Sequence, residues 1–148
     1  MIRRIGQTPL VSQRYTQRPG AYAILPMGKR VLLTGQIDEL LDIQLPGGGI
    51  DPGESTLQAL HREVREEIGW SITKPRRLGA FRLFVFMPEY DLWAEKICHV
   101  YVARPVRQIL EPSEPHHITL SLPMQEAIES LKNPGDRLFM RQYLDAIR

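Results

Sequence analysis

The chain has 148 residues, 43% of them hydrophobic and 24% charged, a balance that suits one folded domain and excludes a disordered segment. The 19 Lys plus Arg against 17 Asp plus Glu leave a formal charge of +2, which excludes a nucleic-acid binder that works through bulk positive charge. Cys98 is the single cysteine, so an internal disulfide and a cysteine-based zinc site are excluded, and no run approaches the roughly 20 apolar residues of a membrane helix.

Residues 1–18 hold Arg3, Arg4, Arg14 and Arg18, and the first acidic residue is Asp38. This stretch lacks the apolar region of a secretory signal and reads as a basic arm ahead of a domain over 19–148. Organellar transit peptides share that composition; otherwise the lone thiol points to a reducing, cytoplasmic setting. Pro19-Gly20 predicts a turn, Ala21 to Pro26 a strand, Gly28-Lys29 a turn, and Arg30 to Thr34 the returning strand of a hairpin. Asp42 to Leu45 alternates like a short strand, and the Pro46-Gly47-Gly48-Gly49 run after it predicts no regular element. Ser55 to Ile68 is the clearest helix, with Ser55 as N-cap, Gly69 as terminator, and Leu57, Leu60, Val64 and Ile68 as its apolar stripe. Two long strands follow, Leu78 to Met87 and Leu92 to Ala103. A polar loop from Glu111 to His117 leads to a last strand over Ile118 to Leu122. Helices over Met124 to Leu131 and Arg137 to Ile147, separated by Asn133-Pro134-Gly135, complete an α/β chain with a mixed sheet.

On a helical wheel Glu63, Glu66 and Glu67 share one flank, with Arg62 and Arg65 on the opposite one. Most glutamate-rich flanks are solvated surface. This one pairs like charges at i,i+4 and sets carboxylates against the negative end of the helix dipole, both unfavourable. A divalent cation removes the objection, since hard oxygen ligands on successive turns match Mg²⁺ or Mn²⁺. Gly47-Gly48-Gly49 allows close backbone approach to a ligand, and Glu54 stands where it can pair with Arg62 or reach a metal.

Gly48, Glu54, Arg62, Glu63, Val64, Glu66, Glu67, Gly69 and Trp70 follow the pattern G-x5-E-x7-R-E-U-x-E-E-x-G-U, where U is bulky and apolar. The segment therefore resembles the signature box of the Nudix hydrolase (MutT-like) superfamily, with Trp70 where an aliphatic residue is more usual. The resemblance implies an α/β/α sandwich with a central mixed sheet. It also implies hydrolysis of the diphosphate linkage of a nucleoside diphosphate joined to another moiety, with Mg²⁺ or Mn²⁺ as cofactor. Carried over by position, Glu63, Glu66 and Glu67 are metal ligands joined by the Gly48 carbonyl, Glu54 is an auxiliary acid, and Arg62 orients the carboxylates. The family takes its general base either from the box or from a later loop, where Glu111 and Glu114 are the candidates. Two other readings share the box: a nucleotide sensor without turnover, and a hydrolase of RNA 5′ ends. The expected partners are a small nucleotide-like diphosphate and, as an option, a second copy of the chain, with no DNA and no membrane.

Outside the box, His116-His117 invites a metal reading, but neighbours on a strand face opposite ways and would not share one ion, so the pair reads as loop polarity. Cys98 reads as buried, and His61 as packing. Arg14, Arg18, Arg76, Arg77 and Arg82 are candidates to hold phosphate, and Tyr15, Tyr22, Phe84, Phe86 and Tyr90 to stack on a base.

Overall fold

Two apolar cores form on opposite faces of one sheet, because successive residues of an extended chain point to opposite sides. The computed structural model describes residues 2–148. Its strands are β1 (Arg3–Arg4), β2 (Thr16–Met27), β3 (Arg30–Ile37), β4 (Leu41–Gln44), β5 (Gly47–Gly49), β6 (Trp70–Met87), β7 (Leu92–Gln108) and β8 (His117–Pro123). The helices are α1 (Thr56–Ile68), α2 (Met124–Ser130) and α3 (Pro134–Ile147), with a 3₁₀ turn at Pro88–Tyr90. The sheet order is β1-β6-β7-β2-β3-β4, with β5 beside β2 and β8 beside β3. Pairings β1–β6 and β2–β7 are parallel and the rest antiparallel, which makes the sheet mixed.

Along β2, Tyr22 and Ile24 enter the core closed by α2 and α3 with Phe81, Ile128, Leu131 and Met140. Ala21, Ala23 and Leu25 enter the core closed by α1 through Ala59, Leu60, Val64 and Ile68. This is the α/β/α sandwich expected. Leu57, expected in the buried stripe, is instead 43% exposed, and Ala59 takes its place. Small side chains fit the shift: Ala59 is buried in the same cluster as Ala21, Ala23 and Ala103.

Three further expectations are corrected. Pro46-Gly47-Gly48-Gly49 does enter the sheet, because β5 pairs Gly47, Gly48 and Gly49 with Tyr22, Ala21 and Gly20. Glycine is what permits it: Gly47 has φ 147°, and a Cβ there would run into the Ala21 carbonyl oxygen. Pro19-Gly20 lies inside β2 rather than at a turn, the Pro19 carbonyl accepting the Ile50 N–H at 3.0 Å. Pro134-Gly135 belongs to the first turn of α3, where a proline's missing N–H costs nothing. Asn133 caps that helix, accepting the N–H groups of Gly135 and Asp136. The arm of the sequence reading contributes β1, which pairs with Phe81 and Arg82, and the first residues of β2.

Helix α1 starts and stops where its capping residues stand. Ser55 Oγ accepts the Gln58 N–H at 3.1 Å, and Gln58 Oε1 accepts the Ser55 N–H at 2.8 Å. Gly69 ends the helix at φ 73° and donates its N–H to the Arg65 carbonyl. Ser55→Ala should cost about 1 kcal/mol, visible as a lower midpoint in thermal or urea unfolding. An unchanged midpoint would mean that the cap contributes nothing here.

Candidate active site

Arg62 is the hub of the exposed side of α1. Its guanidinium donates to Glu54 at 2.7 and 2.9 Å, to Glu63 at 2.9 Å, to Glu66 at 3.1 Å and to the Gly49 carbonyl at 2.9 Å. The wheel placed Arg62 opposite the carboxylates; the structure corrects this, because a long flexible side chain curls round the helix to reach them. The Arg62 bonds, helped by the Asp51 N–H, hold the Glu54 carboxyl down at about 2. Glu63 goes the other way: burial raises its carboxyl above the ordinary range, against the pull of Arg62.

Glu67 is buried, and burial pushes its carboxyl well above the usual value. The Gly47 N–H donates to its Oε1 at 2.8 Å, tying α1 to β5. Gly48 faces Glu63 so closely that a Cβ would overlap the carboxylate as it stands.

The loop between β7 and β8 supplies what periodicity cannot reveal. It is rooted on the end of α1: Ile109 and Leu110 donate to the Gly69 carbonyl at 2.8 and 3.2 Å, and Ser113 donates to the Glu66 carbonyl at 2.9 Å. This brings Glu114 to α1, so that Glu63, Glu66 and Glu114 each offer an oxygen within 4.8 Å of the others. Of the two loop acids, Glu114 lines the carboxylate cleft. His117 is not loop polarity but the first residue of β8. Its Nδ1 lies 2.9 Å from the hydroxyl of buried Thr34 and 3.7 Å from Glu67, and its Nε2 lies 4.0 Å from Glu114. Burial lowers the imidazole, so at neutral pH these carboxylate contacts are not ion pairs.

Two adjoining cavities open beside the carboxylates. The first, about 370 Å³, holds Glu63, Glu67, Glu114 and His117 with Arg18 and Tyr90. The second, about 420 Å³, is lined by Asp42, Leu83, Phe86, Lys132, Asn133 and Asp136 among others. They share Tyr22, Gln36, Gln44, Met87, Glu89 and Lys96. Lys96 stands at this waist with its ammonium 5.5 Å from the centre of the Tyr22 ring. The sequence reading missed Lys96 and Asp136; the one available signal was a lone cation inside the apolar run of β7. Of the candidate phosphate-binding arginines only Arg18 reaches these cavities, its guanidinium lying 4.5 Å over the Tyr90 ring. Arg82 donates instead to the Ile2 carbonyl. Cys98 is buried, and burial pushes its thiol up to about 12.

Asp136 is fully enclosed, and burial raises its carboxyl to about 7 against the pull of the Leu45 N–H and Lys96. An acid whose folded value lies above its unfolded one keeps its proton longer in the native state. Its contribution therefore makes the native state lose stability as pH rises from about 4 to about 7. The slope is at most about 1.4 kcal/mol per pH unit. Asp136→Asn should flatten the urea midpoint across that window. Parallel pH profiles for the two proteins would show that Asp136 carries no such proton.

The NUDIX domain family model matches residues 16–143. A putative 8-oxo-dGTP diphosphatase of Bacillus subtilis (strain 168) is 38% identical over 80 residues, 53% of this chain and 52% of that protein. An RNA pyrophosphohydrolase of Helicobacter pylori (strain ATCC 700392 / 26695) is 46% identical over 57 residues, 35% of this chain and 37% of that protein. The chain thus spans about half the length of the first relative and about a third of the second. In fold, a NUDIX hydrolase from Nitrosomonas europaea superposes with a TM-score of 0.73 at 18% identity, covering 90% of this chain and 92% of that one.

Proposed function

The chain belongs to the Nudix family, and from that premise we propose that it hydrolyses the phosphoric anhydride bond of a nucleoside diphosphate linked to another group, with Mg²⁺ or Mn²⁺. The observation that carries the reading is the convergence of Glu63, Glu66 and Glu114 oxygens within 4.8 Å beside a two-part cleft. These are hard, anionic donors, the set that suits a small divalent cation. Glu63, Glu66 and Glu114 would hold the ion, with the free oxygen of Glu67 and the Gly48 carbonyl as further donors. Such an ion neutralises phosphoryl charge and lowers the pKa of bound water.

The chain's own residues do the rest. Arg62 fixes Glu54, Glu63 and Glu66 in one arrangement and offsets their mutual repulsion. Glu67, pinned by Gly47, sets the distance between α1 and β5. The anhydride would lie in the cavity of Glu63 and Glu114 and the nucleoside in the adjoining one, where Gln36, Gln44 and Asn133 offer polar edges. Lys96 at the waist is placed to meet charge on the bridging group. Phosphate or nucleotide release from a panel of nucleoside diphosphate derivatives, with and without Mg²⁺ or Mn²⁺, tests the reading. Nucleotide binding without metal-stimulated turnover across the panel would make the protein a sensor instead.

A second substrate, the phosphorylated 5′ end of RNA, is favoured by the 46% identity to an RNA pyrophosphohydrolase. On that reading, triphosphorylated or diphosphorylated RNA should outcompete free nucleotides for turnover.

A further inference from the structure

The formal charge of +2 conceals a separation of charge. No Asp or Glu occurs from Trp70 to Pro88 or from Lys96 to Leu110, the stretches that form most of the β6–β7 ribbon. Lys74, Arg76, Arg77, Arg104 and Arg107 all lie there, all exposed. Among the described residues none of them makes an ion pair. Solvated surface cations are ordinarily interspersed with acids; on these two stretches of sequence there are none.

Local geometry concentrates three of them. The β6–β7 register slips between Thr73, opposite Arg104, and Arg76, opposite Val102. Lys74 sits in the slip at φ 51°. The bulge turns Lys74, Arg76 and Arg104 to the walls of one recess of about 330 Å³, with Pro26, Val102 and Ala103 as the rest of its lining. Pro26 stands about 13 Å of extended strand beyond Tyr22, which lines the carboxylate cleft, and the recess shares no lining residue with that cleft. The recess is therefore separate from the carboxylate cleft.

We propose that this recess binds the phosphodiester backbone of single-stranded RNA. Three converging cations without acids complement a run of phosphates, and phosphate contacts need no base-reading groups. The small apolar lining offers little to insert into a bilayer, which weighs against a membrane. The choice of RNA as the polymer rests on the second reading of the cleft given above.

The test uses a short fluorescent RNA with a 5′-hydroxyl, titrated with the full chain in EDTA across a KCl series and read by anisotropy. A 5′-hydroxyl RNA carries no anhydride, so binding is read independently of turnover. Lys74→Ala/Arg76→Ala/Arg104→Ala should flatten the plot of log affinity against log salt by about 2, at about 0.7 for each lost contact to a single strand. Affinity should fall about tenfold or more at moderate salt. Arg3→Ala/Arg14→Ala/Arg141→Ala, which removes the same charge elsewhere, should leave the slope unchanged. Should the triple variant fail to fold, Arg104→Gln alone should shift the slope by about 0.7. Absence of binding by the natural chain, or equal loss in both triple variants, overturns the proposal. So does binding to phosphatidylserine vesicles in place of RNA. RNA that binds with a 5′-hydroxyl yet goes uncleaved with a 5′-triphosphate would remove the RNA reading of the cleft and leave this surface standing.

Discussion

Glu66→Gln should lower kcat by about two to three orders of magnitude, the scale of losing one oriented charged group at a phosphoryl-transfer site. Its melting temperature should hardly move, because the side chain is 36% exposed and its ion pair is with an Arg62 nitrogen at 3.1 Å, beside the like charges of Glu63 and Glu114. The amide keeps the size of the carboxylate and one acceptor oxygen but loses the charge. Steady-state phosphate release on whichever nucleotide the natural chain turns over, beside a thermal melt, separates the two effects. Glu126, an exposed acid on α2, is the matching control: Glu126→Gln should leave both numbers alone. Wild-type turnover in the Glu66 variant would mean that these carboxylates only face solvent and that the reaction, if any, lies elsewhere.

Gly69→Ala should be among the most destabilising single-methyl changes in the chain, at about 2 kcal/mol or more. Two costs add there. The residue has φ 73°, where a side chain is disfavoured by about 1–2 kcal/mol. The new Cβ would also overlap the Leu110 carbonyl oxygen, which is backbone and cannot rotate away. At this chain length the loss corresponds to a melting temperature lower by about 6 °C. Gly53→Ala separates the costs, since Gly53 has φ 80° with open space around it and should show the conformational part alone. Gly69→Asn tolerates the backbone angle better but keeps the overlap, so it should stay well below the natural protein. Equal losses at Gly53 and Gly69 would show that the Leu110 contact carries no weight.

What the sequence disclosed was local. Ser55, Gly69 and the carboxylates of α1 act within a few turns of one helix, so spacing alone placed them. The hairpin turn at Gly28-Lys29 and the long strands were legible for the same reason, although β6 and β7 run further than the apolar pattern suggested. Glu114, His117 and Lys96 reach the cleft from separate elements, and no periodicity links them to α1. The glycine run was misread because propensity weighs against glycine in strands. What decided there was clearance between β5 and β2. Arg62 was misplaced because a wheel records where a side chain leaves the helix, not how far it reaches. Leu57 was misplaced because its apolarity outweighed the small side chain of Ala59, which is the one buried among alanines.

The rooting of the β7–β8 loop on the end of α1 has a consequence for how the molecule breathes. The amides of Ile109 and Ser113 are held by carbonyls of Gly69 and Glu66, not by loop neighbours. They should therefore exchange with deuterium at the pace of the last turn of the helix, as one cooperative unit with it. Fraying of that turn would release the Glu114 segment with it, so a loop by outline behaves as a tertiary extension of the helix.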